Sequence, residues 1–185
     1  MPDDLRLKFY DAKNIVVDSV MVATSGSALI KTDAVKTLID VLLPIATLVT
    51  PNIPEAQILA ECSIKNKEDM QRAAKSIGDT YGTAVLLKGG HNINDANDLL
   101  YADGEMVWFE GKRIDKPNTH GTGCTLSAAF AAALARKEEL TMAAKSAKSF
   151  IEQAIISGAE YEIGNGHGPV NHNFNPLRML SNEIR

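Results

Sequence analysis

Several scarcities narrow what this sequence can be. It has only two cysteines, Cys62 and Cys124, far apart in 185 residues. No disulfide framework is implied, and a reducing cytoplasm is the expected compartment. There is no block of Lys or Arg and the formal net charge is −4, so nucleic acid is excluded as an expected partner. No apolar run approaches the length of a membrane-spanning helix. The opening Met1-Pro2-Asp3-Asp4-Leu5-Arg6 is acidic and polar, which is not the pattern of a secretory signal. There is also no Gly-x-x-x-x-Gly-Lys-Ser/Thr loop and no protein-kinase signature, so any phosphate chemistry must use another architecture. Repeats, linkers and low-complexity stretches are absent. What is present is length for a single domain, 1–185, with 45% hydrophobic and 23% charged residues, enough for a sizeable core.

The chain is organised around Asn118-Thr119-His120-Gly121-Thr122-Gly123-Cys124-Thr125, just before an Ala-rich run from Leu126 to Ala135. That run contains no Gly or Pro and predicts a helix. Two glycines in a turn feeding a helix start suit an anion cradle. Glycine lets a ligand approach the main chain, and the first N–H groups of a helix are unpaired and carry the positive end of its dipole. The bland alternative is that these glycines only permit tight packing under the helix. Cys124 lies at the same helix start, where a depressed thiol pKa is expected.

The remaining elements follow in order. Lys13 to Asp18 reads as a short buried strand with Asp18 at its C-terminal end, where open α/β sheets place ligands. A loop through Gly26-Ser27 comes next. Asp33 is expected to cap a helix running to about Leu43, ended by Pro44. Residues 46–50 form the next strand. Asn52 and Pro54 open a helix to about Ala60, with Glu55 in its first turn, where the helix dipole alone could explain an acid. Residues 66–69 start a helix reaching about Gly82. Residues 83–88 form a strand ending at Gly89-Gly90-His91. Lys88 at its tip either meets a phosphate or snorkels out of the sheet edge. Residues 98–110 read as a β-hairpin around Asp103-Gly104, with Trp108 as packing. Thr141 is expected to cap a last helix ending near Gly158, with Ala143, Ala147, Phe150, Ala154 and Ile155 as its apolar stripe. His167 and His172 lie in a Gly-rich tail without a third ligand at suitable spacing, so no metal site is read there.

This alternation argues an α/β sheet with helices on its faces. Asp18, Asn52, Glu55, Lys88 and the 121–124 cradle all follow strands and should gather along one sheet edge. Two acids can hold Mg²⁺ directly or through water. A lysine and helix-start N–H groups can neutralise phosphate oxygens. That set suits phosphoryl transfer, which depends on positioning and charge stabilisation.

Val17-Asp18-Ser19-Val20-Met21-Val22-Ala23-Thr24-Ser25-Gly26, Thr50-Pro51-Asn52-Ile53-Pro54-Glu55-Ala56, Leu87-Lys88-Gly89-Gly90-His91, the 118–125 stretch and Gly166-His167-Gly168-Pro169-Val170-Asn171 closely resemble the hydroxymethylpyrimidine/phosphomethylpyrimidine kinases of thiamine biosynthesis. These belong to the ribokinase-like superfamily. The resemblance runs from about residue 10 to 172. It implies a three-layer α/β/α fold, mostly parallel with a β-hairpin, and ATP- and Mg²⁺-dependent phosphorylation of a pyrimidine alcohol and then its monophosphate. It implies an anion hole of Gly121, Thr122, Gly123 and Cys124, with Cys124 as the base. ATP contacts would come from Lys88, Asn52, Thr119 and Thr122, Mg²⁺ ordering from Asp18 and Glu55, and a pyrimidine pocket from Val20 and Met21. Ser19 stands where the family usually has Pro. The chain resembles the C-terminal portion of such kinases, with their first strands and Gly-rich loop missing. A homodimer, or a second chain covering the open sheet edge, is therefore expected. The alternatives are a pyridoxine/pyridoxal kinase, a nucleotide-binding module without transfer activity, or a cysteine hydrolase built on Cys124 and His120.

Overall fold

The structure, a computed structural model, describes residues 3–22, 29–90, 96–111, 118–162, 166 and 168–175. The expected turn at Gly26-Ser27, His91 and His167 lie outside the described residues. The element order is α1 (Asp3–Phe9), β1 (Val16–Val17), α2 (Thr32–Thr37), β2 (Leu48–Val49), α3 (Ile53–Leu59), α4 (Lys67–Tyr81), β3 (Ala84–Leu87), β4 (Asp98–Ala102), β5 (Glu105–Phe109), α5 (Thr122–Ala135) and α6 (Leu140–Gly158). The five strands lie side by side in chain order. β1, β2 and β3 are parallel, whereas β3, β4 and β5 pair antiparallel.

Period-two alternation divides the core between the two sheet faces. Val49, Val85, Leu87, Leu99 and Tyr101 pack with Ile53, Ala56, Met70 and Ile77, from α3 and α4. Leu48, Leu86 and Leu100 pack with Phe130, Ala133, Ala147 and Ile151, from α5 and α6. The result is helix, sheet, helix in three layers. Among the described residues no helix is long and apolar enough to cross a membrane.

The expected elements appear, with corrections at their ends. α4 starts at an N-cap, Asn66, whose side chain accepts from the Asp69 N–H, and ends at a left-handed Gly82, φ +66°. The hairpin turn has Asp103 at φ +51° and Gly104 at φ +82°, the two positive angles that match the twist of paired strands. Asp33 is not a cap. Lys31 occupies that position without a side-chain bond, and Asp33 sits inside the first turn of α2. Nor does a single helix reach Leu43. A π-helical turn, Leu38–Leu42, and a 3₁₀ turn, Leu43–Ile45, follow, because Pro44 cannot donate into a regular α-helical ladder. Thr141 is likewise not a cap, since α6 begins at Leu140 after Glu139. Its buried stripe runs through Ile151 (5% exposed), not Phe150 (37%). Phe150 turns outward to meet Phe174, ring centres 5.1 Å apart. α1 has no counterpart among the elements read from the sequence.

Gly78 in α4 shows how closely helix and sheet approach. A Cβ there would lie 2.5 Å from the Tyr101 ring. Replacing a mid-helix glycine by alanine ordinarily stabilises by up to about 1 kcal/mol, but overpacking costs about 1–3 kcal/mol. Gly78→Ala is therefore expected to lower the stability measured by urea unfolding.

Candidate active site

The C-terminal ends of β1, β2 and β3 share one edge of the sheet with the start of α5. A cavity of about 640 Å³ opens there, lined among others by Asp18, Val20, Asn52, Glu55, Lys88, Gly121, Thr122, Gly123 and Cys124. Each residue is set by a local cause. Asn52 caps α3, its side chain accepting from the Glu55 N–H while the Glu55 carboxylate accepts from the Asn52 N–H. This reciprocal capping box aims both side chains. Glu55, 2% exposed, also accepts from the Ser19 hydroxyl at 3.0 Å and the Met21 N–H at 3.1 Å. The Lys88 N–H donates to the Pro51 carbonyl at 2.8 Å, which holds the tip of β3 against the start of α3.

The cradle is the first turn of α5 itself, four residues earlier than the Leu126 start read from composition. Gly121 is the N-cap at φ +85°, a left-handed turn that favours glycine. The Thr119 carbonyl accepts from both the Thr122 hydroxyl, at 2.6 Å, and the Thr122 N–H, at 3.3 Å. Among the described residues the Gly123 and Cys124 N–H groups meet no acceptor other than the Cys124 sulfur. Behind the turn, the His120 N–H and carbonyl pair with the Gly168 carbonyl and the Val170 N–H. The buried Asn118 amide donates to the carbonyls of Gly158, at 2.7 Å, and Tyr161, at 2.6 Å.

The charges meet in front of Gly123. Lys88 Nζ lies 3.2 Å from Asp18 Oδ1, with both side chains less than one-fifth exposed. A Cβ added at Gly123 would stand 3.3 Å from Lys88 Nζ and 3.9 Å from Asp18 Oδ2. The Thr50 hydroxyl donates to Asp18 Oδ1 at 3.3 Å. The Ser127 hydroxyl lies 2.8 Å from that of Thr50 and donates to the Gly123 carbonyl at 3.1 Å. Thr50, Ser127, Ser19 and Asn118 are supports that the sequence reading missed. A buried hydroxyl or amide has no periodic signature, although Thr50 and Asn118 lie within the recognised motifs.

Two expectations need correction. The Cys124 thiol is held above its ordinary pKa, not depressed. Partial burial is the larger cause. The neighbouring Asp18 carboxylate accepts its hydrogen bond and opposes a thiolate, while Lys88 and the Cys124 N–H pull the other way without reversing the shift. Met21 is 2% exposed and packs in the core, contributing its N–H to Glu55, whereas Val20 does line the cavity. Thr119 contributes to the cradle through its carbonyl.

The sequence profile of the family described as phosphomethylpyrimidine kinase matches residues 4–171. The chain belongs to this family. It is 48% identical over 162 residues to the hydroxymethylpyrimidine/phosphomethylpyrimidine kinase of Rhizobium meliloti, a match covering 86% of this chain and 61% of that protein. Among solved structures, a Bacillus subtilis pyridoxal kinase in complex with ADP is 34% identical with a TM-score of 0.82, covering 92% of this chain and 64% of that one. A phosphomethylpyrimidine kinase from Clostridium difficile is 37% identical with a TM-score of 0.73, covering 83% and 62%. The fold is thus the ribokinase-like one. This family member spans about 60% of the length of the hydroxymethylpyrimidine/phosphomethylpyrimidine kinases of Rhizobium meliloti and Haemophilus influenzae.

The Asp18 effect on the thiol is directly measurable. Asp18→Asn removes the carboxylate that raises the Cys124 pKa, so the pH midpoint of Cys124 alkylation by iodoacetamide should move down. Cys62, which is free and exposed, serves as the internal reference. An unmoved midpoint would show that burial alone sets the value.

Proposed function

We propose that this chain carries the nucleotide and phosphoryl-transfer side of an ATP-dependent kinase acting on hydroxymethylpyrimidine and its monophosphate. The observation that carries this reading is the convergence on Gly123. Unpaired N–H groups of a helix start, Lys88 Nζ and Asp18 surround a point where no side chain intrudes. Such an arrangement can hold a transferring phosphoryl group and neutralise charge developing on its oxygens. Lys88, paired with Asp18 without ligand, would move onto ATP phosphates, and Asn52 and Thr122 line the path to them. Cys124 would sit beside the substrate hydroxyl. A raised pKa leaves little of Cys124 as thiolate at neutral pH, and a loose phosphoryl-transfer transition state asks for little deprotonation before bond breaking. The hydroxyl proton can pass late to the Cys124 sulfur as the thiol hands its own proton to the Asp18 carboxylate that accepts its hydrogen bond.

The donor set suits Mg²⁺, which is commonly held by one or two carboxylates together with substrate phosphates and several waters. Asp18 would hold it directly. Glu55 already accepts three protein donors and would act through water. The ion would supply charge neutralisation between the phosphates. The similarity to a pyridoxal kinase at a TM-score of 0.82 supports a second reading, in which a vitamin B6 alcohol is the acceptor. Association with a second copy belongs to the same proposal and is supported by β1, which is outermost in the sheet among the described residues. A cytoplasmic location is proposed from the two free cysteines, which suit a reducing compartment.

The test is an ATP-coupled assay with Mg²⁺ on this chain, with hydroxymethylpyrimidine and pyridoxal side by side. Turnover favouring the pyrimidine is expected, and Gly123→Val, whose side chain crowds Lys88 Nζ and holds the phosphoryl off the turn's N–H groups, should reduce it by about a hundredfold or more, the scale of making a preorganised donor ineffective. Nucleotide binding without turnover would leave only a binding module. Glu55→Gln keeps the size but not the charge, so the Mg²⁺ concentration giving half-maximal rate should rise. An unchanged Mg²⁺ dependence would confine Glu55 to capping.

A further inference from the structure

The same cavity extends away from Cys124 to a buried ion pair that the transfer chemistry does not use. Lys148 of α6 and Asp98, the first residue of β4, meet at 2.6 Å with side chains 10% and 12% exposed. Lys148 Nζ also donates to the Ala96 carbonyl at 2.7 Å. The second carboxylate oxygen of Asp98 accepts the Gly89 N–H at 2.9 Å. One oxygen thus holds the cation and the other holds the backbone immediately after Lys88.

The surroundings leave this arrangement little freedom. A Cβ on Gly89 would come within 2.1 Å of the Asn97 carbonyl oxygen, and one on Gly111 within 2.8 Å of Lys148 Nζ. The Asn97 side chain accepts the Gly111 N–H at 2.9 Å. On its other side, Lys88 is tied to Pro51 through its own N–H. The tip of β3 is therefore held at both ends, by Pro51 before the Lys88 side chain and by Asp98 after it. A buried ion pair is a poor source of net stability, because desolvation offsets most of the attraction. Its effect here is geometric.

We propose that Asp98, with Lys148 as its buried counter-ion, is a positioning residue for the nucleotide. Lys148 neutralises the Asp98 carboxylate, Asp98 fixes the Gly89 N–H, and the Gly89-Gly90 segment then presents Lys88 and its own backbone to the phosphates. The proposal rests on the nucleotide reading of this site, and its test separates the two. Two double variants remove the buried charges together. Lys148→Met with Asp98→Ala leaves the Gly89 N–H without an acceptor, whereas Lys148→Met with Asp98→Asn keeps one.

Amide hydrogen exchange at Gly89, referenced to Leu86 within β3, reads the clamp without any ligand. Titration with the ATP analogue AMP-PCP reads its consequence. In the Ala variant, Gly89 exchange and the AMP-PCP Kd are both expected to rise about tenfold. In the Asn variant both should stay within about threefold of the unaltered chain. Unaltered Gly89 protection in the Ala variant, or equal losses in both variants, would overturn the proposal. If the Ala variant fails to fold, Lys148→Gln alone supplies the comparison. Its carboxylate loses the cation, so both quantities should rise together, and unchanged values would overturn the proposal. If the unaltered chain does not bind AMP-PCP, the nucleotide reading fails, and the exchange rates still decide the clamp.

Discussion

The site depends on one buried carboxylate. Glu55 is 2% exposed and accepts from the Ser19 hydroxyl, the Met21 N–H and the Asn52 N–H. A carboxylate out of water without partners costs several kcal/mol. Glu55 is therefore tolerated only when the segment after β1 and the start of α3 are both in place around it. Their closure is what brings Asp18 and Asn52 into one cavity. A residue that reads in the sequence as an ordinary helix-start acid is thus the tie between two parts of the chain more than thirty residues apart. Ser19, at a position where proline is usual in the resembled family, takes part through its hydroxyl.

Local chemistry made much of the fold readable. Pro51-Asn52-Ile53-Pro54-Glu55 spells a capped helix start, Asp103-Gly104 a hairpin turn, and the apolar runs at 84–87 and 98–102 buried strands. These signals act over a few residues, so tertiary packing did not override them. α2 was misread because Pro44 does more than end a helix. The winding before it is a wider π turn, Leu38–Leu42, and Leu43 after it is fully buried. α6 was misread by one residue of rotation. Phe150 and Ile151 are both apolar, and the rotation that buries Ala144, Ala147, Lys148 and Ile151 together leaves Phe150 to meet Phe174.

In the site, residue types with a single chemical use were found, and residues that work through neighbours were not. Gly121, Gly123, Lys88 and Asp18 stand together because strand ends and a helix start share one edge of an α/β sheet. The Cys124 thiol went the other way. A helix start predicts a lowered pKa, but partial burial first, and then the carboxylate of Asp18 more than a hundred positions earlier, raise it. Through-space charge of that kind has no trace in local sequence. The same is true of the Thr50 and Ser127 hydroxyls that back the cradle, and of the Lys148 and Asp98 pair.

The anchoring of the cradle has a consequence for the newly made chain. The turn that ends at Cys124 is backed by the carbonyls of Gly158 and Tyr161 and by the main chain of Gly168 and Val170. During synthesis the strands and α3 to α5 emerge first, and the backing emerges after them. At about 5–20 residues per second, Val170 follows Cys124 by roughly 2–9 s. Over that interval the sheet can assemble while the anion cradle lacks its support. A ligand therefore meets the turn in its supported form only after Val170 has emerged.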